Sequence, residues 1–168
     1  MIAFAFTGPD ARRPFVGGHW PEAGAWADGA RASLIRHLPV WIAAELWLVE
    51  LDGSVHEVAT QLRADRGRLV RRIDGWDDET AQAFAQSCSN RILELAEHAR
   101  KAGTAEDRMA AYRADAKAFG RPADANVAGW VAARAAAAVE GEDGAARERE
   151  RQAAWLAERL GLEAAIPG

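Results

Sequence analysis

At 168 residues, 49% hydrophobic and 27% charged, the chain has the size and balance of a globular domain with a core of its own. No apolar run approaches the ~20 residues that span a bilayer, which argues against a membrane helix. The single cysteine excludes an intrachain disulfide and a cysteine-based metal cluster, and a net charge of -4 gives no long-range attraction for nucleic acid or anionic lipid.

The charge is uneven along the chain. Arg and acidic residues balance up to Trp76, so the imbalance lies in the C-terminal half. Residues 1–6 are apolar without a basic leader and end in a Thr7-Gly-Pro-Asp10 turn, which is not a signal peptide; a cytoplasmic location is the expectation. Nineteen of the 21 basic residues are Arg, a bias of high-GC coding that carries no functional weight.

Residues 2–7 read as a first strand. The stretch to residue 30 holds Pro9, Pro14 and Pro21 with several glycines, the chemistry of a loop around large aromatic side chains. Pro39 suits the first turn of a short helix over 38–44. Residues 45–52 form the clearest strand, apolar on both faces and therefore central. Turn residues at 52–54 and 65–67 set off two further strands, over 57–64 and 68–73, completing an antiparallel meander.

Helices occupy the rest. Asp77 can cap a long helix with a buried stripe from Ala81 through Phe84, Cys88, Ile92 and Leu95 to Ala99, stopped by Gly103. Thr104 and Asp107 make a variant capping box for a second helix ending near Gly120. A third is expected over 124–140 and a fourth over 145–160, hinged at 141–144. The fold class is therefore α+β: a small, mainly antiparallel sheet in the N-terminal half packed with about four helices in the C-terminal half. The expectation is a single domain over 1–168, with any subdivision falling between 1–103 and a helical extension over 104–168.

The segments Glu45-Leu-Trp-Leu-Val-Glu-Leu-Asp-Gly53 and Arg66-Gly-Arg-Leu-Val-Arg-Arg-Ile-Asp-Gly-Trp76, followed by a helix carrying Phe84-Ala and Cys88, are similar to small uncharacterised α/β proteins of high-GC bacteria. The resemblance covers residues 1–102 and implies a fold and a bacterial source, with no activity. Relatives often carry Gly-x-His-Ala-Cys before the central strand. Here the matching region reads Ala32-Ser-Leu-Ile-Arg-His37, so nothing of that motif is carried over.

The chemistry-bearing residues are few. His19, His37, His56 and His98 show no metal-ligand spacing, so neither metal nor cofactor is expected. Cys88 sits on an apolar helix stripe and reads as a small buried hydrophobe. Glu50 shares a strand face with Leu46 and Leu48. It either pairs with an inward arginine such as Arg71 or faces a cavity where desolvation makes it a base. The Arg63-to-Arg72 ribbon reads as a solvated face more readily than as a phosphate grip, and nucleic acid is not an expected partner. The acidic cluster Asp74, Asp77, Asp78 and Glu79 reads as helix capping, and the run Arg147-Glu-Arg-Glu-Arg151 as a solvated helix face.

Seven tryptophans, five of them by Trp76, exceed what a small core holds easily. The leading functional reading is a small organic ligand bound in a pocket lined by Trp20, Trp26, Trp41, Trp47 and Arg71. In that reading His19, His37 and Glu50 are the groups able to do metal-free acid/base work. A second reading is a non-enzymatic interaction module in which the acidic helices dock a partner or form a homodimer. The site is expected in the sheet half and not in the helices.

Overall fold

The apolar opening of the chain forms strand β1, Ile2–Thr7, in the computed structural model, which describes residues 1–8, 20 and 22–165. Short strands β2, Ala27–Asp28, and β3, Arg31–Ala32, come next, then β4, Glu45–Val58, and β5, Gln61–Arg72. All pairings are antiparallel, in the order β1-β4-β5-β2, with β3 also on β5. Four α-helices come after: α1, Asp78–Ala102; α2, Glu106–Ala118; α3, Ala125–Glu140; and α4, Gly144–Leu160. The protein is α+β, sheet first and helices second.

The expected three-strand meander is instead one long hairpin. The chain reverses at Ala59-Thr60, where Ala59 takes a φ of 53°, and the two glycine-bearing segments lie inside the strands. They mark irregularities of the ladder. Gly53 and Ser54 together oppose Asp65, since Asp52 pairs with Arg66 and Val55 with Ala64. Gly53 has a φ of 80°, a left-handed conformation natural to glycine at a β-bulge. A second bulge leaves Val70 unpaired, with Leu48 opposite Arg71 and Val49 opposite Leu69. Simple alternation therefore fails along β5. The short helix expected over 38–44 is a 3-10 segment, Ile35–Val40, with Pro39 near its end.

The sheet also bends back on itself. Ser33, just after β3, exchanges both backbone hydrogen bonds with Phe4 of β1, at 3.0 and 2.6 Å, so the outer strands of the sheet meet there. Inside the curve lies a core of Ala3, Ala5, Trp20, Ala32, Val49, Leu51, Leu62, Ala64 and Leu69. On the opposite face Phe6 meets Trp76 edge to face, ring centroids 5.1 Å apart, and the Trp76 indole donates to the Ala43 carbonyl at 2.9 Å.

Backbone contacts divide the chain into two units, Met1–Asp77 with Ala153–Gly168, and Asp78–Gln152. The division falls beside the composition change at Trp76 and not at Gly103, because α1 packs against α2 and α3. In the helical unit α1 buries the stripe read from the sequence, and α3 answers with small residues, Ala125, Ala128, Gly129, Ala132 and Ala136. The capping box expected for α2 does not form: the residue before the helix is Ala105, at a φ of 52° and with no side-chain cap. Among the described residues no helix is long and apolar enough to cross a membrane.

Candidate functional site

β1 and the chain leaving β3 enclose a cavity in the sheet unit. After the Ser33–Phe4 bridge, Leu34 is extended, at φ -74° and ψ 158°, and the chain then coils into the 3-10 segment, where His37 N–H donates to the Leu34 carbonyl at 2.9 Å. The separation from β1 opens a cavity of about 220 Å³, lined by Ile2, Ala3, Phe4, Leu34, Ile35 and Arg36. Its walls are aliphatic and aromatic, with one charged residue. An engineered cavity of about 150 Å³ accepts benzene, so this volume suits a branched aliphatic or single-ring group.

Arg36 carries polar chemistry to this cavity. Its Nη2 donates to both carboxylate oxygens of Glu57, each at 2.7 Å, and its Nε lies 3.2 Å from His37 Nε2. His37 Nε2 is also 2.9 Å from Glu57 Oε1. The two histidine contacts are alternatives: a bare Nε2 accepts from Arg36, whereas a protonated Nε2 donates to Glu57. The hydrogen bond from His37, followed by that from Arg36, holds the Glu57 carboxyl below the usual carboxylate range. Glu57 and Arg36 were not singled out by the sequence, because their partnership spans 21 residues and is made by the hairpin.

The other expected site residues are spread over the sheet unit. Glu50 does not pair with Arg71. The bulge at Val70 puts Arg68 opposite Glu50, and the Arg68 Nε and Nη2 reach Glu50 Oε2 at 2.7 and 2.6 Å in a half-exposed ion pair. Arg71 is exposed and makes no ion pair among the described residues. Trp26, 40% exposed, lies beneath both Arg66 and Arg68, their guanidinium carbons 4.8 and 5.1 Å from its ring centroid. Trp41 donates to the Thr60 carbonyl at 3.1 Å, Trp47 donates to Glu45 at 3.1 Å, and Trp20 is buried in the core. None of these tryptophans lines the cavity. His19 lies outside the described residues.

The arginine ribbon is largely neutralised by cross-strand partners. Arg66 meets Asp52, Arg68 meets Glu50, and Arg72 meets Glu45 and Asp74. A row of paired charges offers a phosphate backbone little net attraction.

The helical unit contains a polar cluster where the sequence suggested a solvated run. The Glu148 side chain is only 1% exposed, takes two bonds from Arg151 at 2.8 and 2.9 Å, and lies 3.5 Å from Arg91 Nε. Arg91 also pairs with Glu140, and Arg151 reaches Ser87 at 3.2 Å. Burial pushes the nearby Cys88 thiol up to about 12, which leaves it a packing residue and no nucleophile. Trp130 is 48% exposed beneath Arg149. Among the described residues no group of three or more side chains is arranged to hold a metal ion. No protein-family description, curated protein or solved structure matches this chain.

Proposed function

We propose that the sheet unit binds a small organic ligand at the β1 cavity, with an apolar body against Ile2, Phe4, Leu34 and Ile35 and a polar head at Arg36. The observation that carries this reading is that Arg36, the one charged residue lining the apolar cavity, also binds Glu57 beside His37. His37 and Glu57 supply that head with a proton donor and an acceptor, the minimum for metal-free acid/base work. The test is titration with 4-methylpentanoate followed by amide NMR. Shifts concentrated at Ile2, Leu34 and Ile35, and abolished by filling the cavity with Leu34→Trp, are expected; shifts scattered elsewhere, or unchanged by the filling, overturn the reading.

A second reading, self-association through the helical unit, draws support from Val127 and Trp130. They stand three residues apart on α3 and are 52% and 48% exposed. Light scattering that finds a monomer at every concentration, unaltered by Trp130→Glu, removes it.

A further inference from the structure

The cavity has a property that a simple apolar pocket lacks: one wall is the edge of a β-strand. Leu51 N–H donates to the Met1 carbonyl at 2.7 Å, which sets the phase of the β1–β4 ladder. Alternate residues Ala3, Ala5 and Thr7 therefore exchange hydrogen bonds with β4, while Ile2, Phe4 and Phe6 direct their N–H and C=O groups to the other edge. Phe4 confirms the phase, since both of its groups are bonded to Ser33 on that edge.

Ile2, two residues earlier, points the same way. Its counterpart in a continued ladder would be Ile35, but that residue begins the 3-10 segment. Ile2 thus presents a backbone donor and acceptor at the cavity, with no strand beside it among the described residues. Arg36 adds a third element. Its Nε and Nη2 are engaged by His37 and Glu57, whereas Nη1 makes no hydrogen bond among the described residues.

Resting on the reading of the cavity as a ligand site, we propose that the ligand is a short peptide with a free C-terminus. One of its residues pairs with Ile2 as an added β-strand, an aliphatic side chain enters the cavity, and the terminal carboxylate meets Arg36 Nη1. Three observations select this class. An open strand edge recognises an extended amide backbone, which neither a fatty acid nor an aromatic acid supplies. The cavity volume fits one branched side chain. The uncommitted guanidinium nitrogen complements a carboxylate without displacing Glu57. Because Phe4 is already paired with Ser33, the ligand strand pairs with Ile2 and not with Phe4.

The experiment compares N-acetyl-leucyl-valine, its analogue methylated on both amide nitrogens, and 4-methylpentanoate, using calorimetry and amide hydrogen exchange on the full chain. The parent peptide is expected to bind at least tenfold more tightly than the other two, to slow exchange of the Ile2 amide, and to lose about tenfold in affinity with Arg36→Gln. If all three compounds bind equally with shifts at Ile2, Leu34 and Ile35, the cavity reading stands and the peptide assignment falls. If none of them shifts those residues, both fall.

Discussion

Gln152 bridges two helices of the helical unit: its Nε2 donates to the Gly129 carbonyl of α3 at 3.1 Å and to Glu148 of its own helix at 2.8 Å. The amide is fully buried, and it steadies a carboxylate that is itself held by Arg151 and Arg91. Burying Glu148 is tolerable only because Arg151 and Gln152 donate to its oxygens and the Arg91 cation stands beside it. Glu148→Ala removes the shared acceptor and leaves two cations and an amide competing for fewer partners. A loss of about 3–5 kcal/mol is expected in urea unfolding, against less than about 1 kcal/mol for Glu150→Ala on the exposed side of the same helix. Equal losses would show that the cluster contributes nothing special.

The order of elements was legible because it depends on hydrophobic period. The α1 stripe, the extent of α3 and α4 and the central strand β4 were all available from spacing. The hairpin was not, since its reversal at Ala59-Thr60 carries no glycine, while Gly53 and Gly67, which resemble turn residues, serve bulges and close strand contact. A single misplaced bulge changes which side chains share a face, and this is why Arg68 rather than Arg71 meets Glu50. Glu148 was hidden for a related reason: in Arg147-Glu-Arg-Glu-Arg151 nothing local distinguishes the inward glutamate from Glu150. His37 could be named as a candidate from the sequence, but its contacts with Arg36 and Glu57 became visible only when the hairpin brought residue 57 to residue 36.

Cys88 provides a probe of the helical unit. The thiol is fully buried, and burial holds it at about 12, so it stays protonated and shielded across the neutral range. A disulfide reagent at pH near 8 is expected to label it only as fast as the unit opens, and rapidly once urea unfolds the chain. Stoichiometric labelling within seconds under native conditions would contradict the packing around Phe84 and Ile92.

Gly53 tests the bulge. Its φ of 80° disfavours any side chain, and a Cβ there would collide with Asp65, whose carboxylate accepts from the Ser54 N–H at 2.8 Å. Gly53→Ala should lower stability by about 1–3 kcal/mol, combining left-handed strain with displacement of Asp65. Pairing it with Asp65→Gly, which takes away the Cβ as well as the carboxylate, should recover part of the loss by removing the collision. A double variant no better than the single one would assign the whole effect to the backbone.

Asp124 gives a pH dependence with a definite sign. Its carboxylate accepts from the Gly120 and Arg121 backbone N–H groups at 3.2 and 2.9 Å, and from the Arg121 guanidinium at 3.0 Å. Led by the Arg121 side chain and then these backbone donors, the interactions lower its pKa from the ordinary 3.8 to about 2. A carboxyl depressed by folding contributes its full stability above the unfolded value and loses it as pH falls through the folded one. The contribution should therefore be intact at neutral pH, decline between pH 3.8 and about 2, and vanish below that. Asp124→Asn is expected to lower the urea midpoint at pH 7 and to close the gap to the parent protein as pH approaches 2. A gap that stays constant over this window would mean that Asp124 acts through shape alone and that its charge does not anchor the turn that precedes α3.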